Sequence, residues 1–294
     1  GGGADVHSFR KYASKFKGHF MAKAGLEEAL WDLEARLAGK PLAEYLGGIK
    51  RRIPVGVSIG IKDSIQELLS RVRRYVEQGY LRIKVKVKPG WDIDVVKEIR
   101  KSWPDLPLQV DANASYTMEH LRTLKAFDDF DLLMIEQPLA HDDLVEHAEL
   151  ARNLRTPICL DESIKEPRHA ALAKRLGSCE IVNVKPGRVG GLLSSKQIHD
   201  LWIPKKLWIG GMLETGIGRA HLVALASLPG VTMPSDISAS DRYYERDIVE
   251  PPWELHRGHL EVPREPGIGI EIIGRELEKH VRKRRAFKIE RRAL

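Results

Sequence analysis

Five ionisable residues recur along this chain at an almost constant step: Lys86, Asp111, Glu136, Asp161 and Lys185 stand 25, 25, 25 and 24 residues apart. The step is that of one strand plus one returning helix, and the three acids directly follow the apolar runs LQV, LLMI and PICL, which read as buried strands. The same step reaches Gly60-Ile61 backward, and Gly210-Gly211 and Ser235-Asp236 forward. A single Asp behind a strand is ordinarily a helix N-cap. That reading does not account for five loaded positions in one register.

Strand candidates at 53–61, 82–87, 107–110, 132–135, 157–160, 181–184 and 207–210, with an eighth near Val231 to Met233, alternate with helical segments such as 63–78. In that first helix Ile65, Leu68, Leu69, Val72 and Val76 fall on one face. Alternation of this kind specifies a parallel sheet with helical crossovers. Eight strands, with no glycine-rich phosphate turn after an early one, predict a closed α/β barrel rather than an open doubly wound sheet. The periodic residues then share its C-terminal rim, where barrel enzymes carry their chemistry.

Composition removes other classes. Of the 294 residues 43% are hydrophobic and 30% charged, which excludes a disordered or collagen-like chain. Two cysteines, Cys159 and Cys179, are too few for a cystine scaffold, and no apolar run is long enough to span a bilayer. A cytoplasmic enzyme without membrane contact is the expectation. The net charge of +7 resides in the last residues, where eight Lys/Arg from Lys279 onward face the single acid Glu290. This basic tail, 279–294, reads as a solvated end. No base-reading or stacking motif accompanies it, so nucleic acid is not an expected partner.

Asp111, Glu136 and Asp161 on consecutive strands offer oxygen-only ligands, the donor set of Mg²⁺, with Mn²⁺ as a substitute. In the strand RIKVKV the basic residues alternate with β-branched ones, so packing Ile83 and Val85 against helices turns Lys84 and Lys86 inward. Lys86, beside Lys84 and a divalent ion, is expected to be a base usable near neutral pH. Lys185, four strands away, would approach the same substrate carbon from the other face. Such an array suits removal of a proton α to a small-molecule carboxylate.

At these residues the chain resembles the enolase superfamily, muconate-lactonizing subgroup, in the o-succinylbenzoate synthase and N-acylamino acid racemase family. The stretches that carry the resemblance are MAKAGLEEALWDLEARLAGKPL, KVKVKPGWD, VDANASY, IEQPL, ICLDESI, IVNVKPGRVGG, GGMLETGIGRAH and PSDISASDRYYERDIVEP. The resemblance implies Lys86 and Lys185 as the acid/base pair, Lys84 as the first lysine of the paired-lysine motif, and Asp111, Glu136 and Asp161 as Mg²⁺ ligands. It also implies substrate contacts at Asn113, Gly211, Met212 and Glu214, with Met212 and Leu213 as core residues the competing reading, and a homo-oligomer. Gly210-Gly211 stands where mandelate-racemase-like members carry a His, and Ser235-Asp236-Ile237-Ser238 has one acid where dipeptide epimerases carry two. A muconate cycloisomerase-like enzyme and a truncated inactive barrel remain alternatives.

The resemblance implies a TIM-like (β/α)7β barrel at 51–250, preceded at 1–50 by only the C-terminal helical remnant of an α+β capping domain, and followed by a return segment at 251–278. Helix 22–38 is expected to turn Leu26, Ala29, Leu30, Leu33 and Leu37 toward the barrel and to stop at Gly39.

Overall fold

A computed structural model describes residues 5–286. Seven parallel strands follow one another in chain order across a single curled sheet: Val57–Ile59, Ile83–Lys86, Leu108–Asp111, Ile135–Glu136, Ile158–Leu160, Ile181–Val184 and Lys206–Ile209. We number them one to seven. Helices Ile65–Glu77, Ile93–Ser102, Leu121–Ala126, Val145–Asn153, Pro167–Leu176 and Leu192–Trp202 fill the six crossovers. Ser64 caps the first of them by accepting from Glu67 N at 3.2 Å, and Leu68, Val72 and Tyr75 are its buried face. Strand two behaves as its alternation dictates, with Ile83 and Val85 fully buried in the hydrophobic core and Lys84 inside the curl.

Two strand expectations change. The run 53–61 is two pieces, because Gly56 lies against Arg82 and a Cβ there would stand 2.5 Å from Arg82 Nε. Arg52–Pro54 leaves the sheet and pairs antiparallel with His259–Glu261. The strand expected at Val231 to Met233 is a bend, and Pro234, with no N–H to give, follows it. Its place is taken by Ser235 and Asp236, which reach both sheet edges: Gly56 N, directly before strand one, donates to Ser235 O at 2.8 Å, and Asp236 N donates to Ile209 O of strand seven at 2.9 Å.

The long N-terminal helix, Phe20–Leu37, presents the opposite face from the one its leucines suggest. Ala24, Glu27, Trp31 and Ala35 are buried and Leu30, half-buried, packs against the core as expected, whereas Leu26, Leu33 and Leu37 are 61%, 49% and 80% exposed and Ala29 is exposed. Small residues let this helix lie close against the Pro186–Val189 turn. Glu27 is the other reason: its Oε1 accepts from Leu193 N at 2.8 Å and from Trp31 Nε1 at 3.0 Å, capping the Leu192–Trp202 helix. Gly39, at φ 64°, follows the last turn as expected. Of the basic tail, residues 287–294 lie outside the described region. No described helix is long and apolar enough to cross a membrane.

Candidate active site

The inner face of strand two supplies the central cation. Lys84 Nζ lies 2.9 Å from Glu136 Oε2 and 3.3 Å from both Asp111 Oδ2 and Asp236 Oδ2. Burial alone would favour the neutral amine, but the charges of Glu136, Asp111 and Asp236 outweigh it and hold Lys84 protonated, above the ordinary lysine range. One turn of the alternation nearer the rim, Lys86 donates to Asn113 Oδ1 at 2.5 Å. Asn113 N donates to Asp111 Oδ1 at 3.1 Å, and its side-chain amide to Glu162 Oε1 at 3.0 Å.

The three acids differ in their surroundings. Glu136 accepts from Gln109 Nε2 and Asn183 Nδ2, each at 2.7 Å, besides Lys84. Against its burial, Lys84 and Lys185 keep its carboxyl below the usual range. Asp111 moves the other way: burial and the neighbouring Glu136 charge push it up despite Lys84 and Lys86. Asp161 accepts from Lys185 Nζ at 2.8 Å and touches the Arg188 guanidinium. Burial lowers Arg188 to about 10, with Glu136 and Asp111 opposing. Gln137, left-handed at φ 40°, holds strands four and five in step, because its Oε1 accepts from Asp161 N and Ser163 N.

Lys84, Asp111 and Glu136 thus share one buried network, Lys86 joins it through Asn113, and Lys185 with Asp161 stands beside it. Gly210 makes room for this arrangement, since a Cβ there would sit 2.8 Å from Lys185 Cε. Gly211, Met212 and Glu214 lie apart, on the loop after strand seven. Met212 and Glu214, with Gly187 and Glu28, border a cleft of about 290 Å³. Both Glu214 oxygens accept from Met212 N, and Met212 and Leu213 are exposed rather than core. Burial, reinforced by the Glu27 and Glu214 charges, raises Glu28 to about 8. A larger cavity of about 670 Å³, lined by Tyr80, Asp247 and Trp253, contains none of these residues.

Sequence reasoning gave no site role to Arg188, Asp236, Gln137, Gln109 or Asn183. Gln109 and Asn183 had a signal: each precedes a rim residue, Asp111 or Lys185, by two positions and therefore faces the same way. Asp236 had one as well, since the periodic step reaches it.

Among the described residues no three His, Cys, Asp or Glu stand as a ready cage for a metal ion, because the carboxylates engage cations and amides of the chain. The donor chemistry still fits a hard divalent cation. Asp111 and Glu136 are register partners on adjacent strands, Asp161 follows the next strand, and all three offer only oxygen. Buried Glu162 Oε2 lacks a hydrogen-bond partner among the described residues, whereas Asp161 Oδ1 is engaged by the Arg188 guanidinium.

Residues 67–276 match the family model described as enolase C-terminal domain-like, and residues 6–47 match the mandelate racemase / muconate lactonizing enzyme N-terminal domain. The chain belongs to the mandelate racemase / muconate lactonizing enzyme family of the enolase superfamily. An o-succinylbenzoate synthase of Geobacillus kaustophilus is 52% identical over 91% of this chain and 72% of its own length. An N-succinylamino acid racemase of Amycolatopsis is 51% identical over 88% of this chain and 71% of its own. An enolase superfamily member from Listeria innocua superposes with a TM-score of 0.90 at 42% identity, covering 95% of this chain and 76% of that one.

Proposed function

We propose that this chain abstracts the proton α to a carboxylate, as an o-succinylbenzoate synthase, an N-succinylamino acid racemase, or both. The observation that carries the reading is the flanking of Asp111, Glu136 and Asp161, at strands three to five, by Lys86 on strand two and Lys185 after strand six. Identity of about 50% to relatives bearing those two names supports it.

Asp111, Glu136 and Asp161 would hold Mg²⁺, or Mn²⁺ in its place. The bound cation supplies a Lewis acid that polarises the substrate carboxylate and lowers the cost of the charge left by the departing proton. The lysines do the proton work. In racemisation, one takes the α-proton from one face and the other returns a proton to the opposite face. In the synthase reaction, one abstracts it and passes it to the departing hydroxyl, which leaves as water, while the other, as an ammonium, stabilises the developing negative charge. Lys84, clamped between three carboxylates, stays protonated and offsets their charge rather than exchanging protons. The cleft bordered by Met212, Glu214 and Gly187 begins two residues beyond Lys185, which suits the distal arm of the substrate.

We assign the chain to a (β/α)7β barrel at 51–250, closed by Ser235-Asp236, with residues 1–50 as the helical end of a capping domain and 251–278 as a return segment. The two family matches, 6–47 and 67–276, support a junction near residue 50.

The test uses N-succinylamino acids in deuterated buffer. Lys86→Ala and Lys185→Ala each lose α-proton exchange by about 10²-fold or more, while Mn²⁺ binding followed by electron paramagnetic resonance stays near wild type. Exchange retained in both variants refutes the assignment.

A further inference from the structure

The interior holds another cation, which none of the proposed steps uses. Arg82 immediately precedes strand two, is 1% exposed, and stacks its guanidinium on Trp208 with Cζ 4.6 Å from the ring centroid. Its Nη1 donates to Gln109 Oε1 at 2.6 Å, while Nε and Nη2 are buried without a hydrogen-bond partner among the described residues. The space is built for it, since any side chain at Gly56 would strike Nε. A buried guanidinium whose acceptor is an amide rather than a carboxylate is costly, and packing alone would be served better by an apolar side chain.

What the charge supplies is polarity. An amide side chain has a donor end and an acceptor end, and a guanidinium only donates. With Arg82 on one side, Gln109 must present Oε1 to it and turn its NH₂ outward, where Nε2 meets Glu136 Oε2 at 2.7 Å. Without Arg82 the buried Oε1 loses its donor and the amide is held in place from the Glu136 side alone.

We propose that Arg82 is a positioning residue which, by locking the Gln109 amide, orients the Glu136 carboxylate and so sets the affinity of this site for a divalent cation. The inference rests on the metal reading of the site given above. Groups that orient a ligand in this way are worth about 10–100-fold in metal affinity.

The experiment compares Mn²⁺ titrations, read by electron paramagnetic resonance, of the full chain and its Arg82→Met, Arg82→Lys, Gln109→Leu and Arg82→Met/Gln109→Leu variants, with folding checked by circular dichroism. Arg82→Met and Gln109→Leu each weaken Mn²⁺ binding about tenfold or more. Arg82→Lys, which still only donates, recovers most of the loss, and the double variant is no worse than the worse single one because both act along one path. Should Arg82→Met fail to fold, Gln109→Leu with Arg82→Lys decides the matter. Wild-type affinity in folded Gln109→Leu, or losses that multiply in the double variant, overturns the proposal. A wild type that binds no Mn²⁺ refutes the metal reading instead. The lock is then judged from the Gln109 side-chain amide resonances, which shift in Arg82→Met if it exists and stay put if it does not.

Discussion

Replacing Glu28 with Gln should stabilise the protein, and by an amount that grows with pH. Burial beside Glu27 and Glu214 raises Glu28 from 4.5 to about 8. Below pH 4.5 this carboxyl is neutral in both the folded and the unfolded chain, and it costs nothing. As pH climbs from 4.5 toward 8 the unfolded chain releases the proton and the folded one keeps it, so stability falls. Each pH unit in that window costs up to about 1.4 kcal/mol, about 5 kcal/mol in full. Glu28 borders the open cleft, and rotation toward water reduces the penalty, to about 1–3 kcal/mol by order of magnitude. Gln carries no charge and shows no such slope. Urea unfolding of wild type and Glu28→Gln, from about pH 4 to about pH 9, reads the difference as a shift in midpoint at constant slope. The curves should meet at the acid end, diverge above pH 4.5 and run parallel beyond about 8. A gap independent of pH, or a less stable Glu28→Gln at the alkaline end, would refute the reasoning.

Other variants test other parts of the account. Lys84→Met strands the buried Asp111 and Glu136 and the half-buried Asp236 and should cost about 3–5 kcal/mol in urea unfolding near neutral pH, with part of the loss recovered in acid as the carboxylates take up protons. Gly191→Ala forces a Cβ into Glu27 at φ 126° and should destabilise by about 2 kcal/mol or more, seen as a lower melting temperature. On the Phe20–Leu37 helix, Trp31→Ala should cost about 3–5 kcal/mol whereas Leu33→Lys should change stability by no more than about 0.5 kcal/mol. Equal losses from that last pair would mean that the leucine face is covered in solution.

The legible part of this molecule was the part with a period. Each βα unit repeats one length, so a residue that closes one strand announces its counterparts in the next. That is why Lys86, Asp111, Glu136, Asp161 and Lys185 stand out in one dimension before any contact is known. Alternation within RIKVKV adds the inward direction of Lys84 for the same reason. What escaped is either too short to read as a strand or set off the period. Two residues, Ser235 and Asp236, suffice to bridge the sheet edges, too few for a strand signal, so the more apolar Val231 to Met233 attracted the assignment instead. Arg188 reaches Asp161 from a four-residue turn, where neither helical nor strand spacing predicts the direction of a side chain.

The Phe20–Leu37 helix shows how a strong pattern misleads. Its leucines satisfy helical spacing, and a rule that buries the largest apolar side chains chooses them. The protein buries Ala24, Ala35, Trp31 and Glu27 instead. A carboxylate on the inner face argues against that choice only until its partners are known. Glu27 spends its burial on Leu193 N, at the N-terminus of another helix, and on the Trp31 indole, two donors that would otherwise be left without acceptors. The helix is therefore placed by a hydrogen bond between residues 166 positions apart, a distance over which no local pattern carries information. Arg82 and Gln109 repeat the lesson inside the curl. Their value lies in which end of an amide faces which neighbour, and that is settled only when strands two, three and four are side by side.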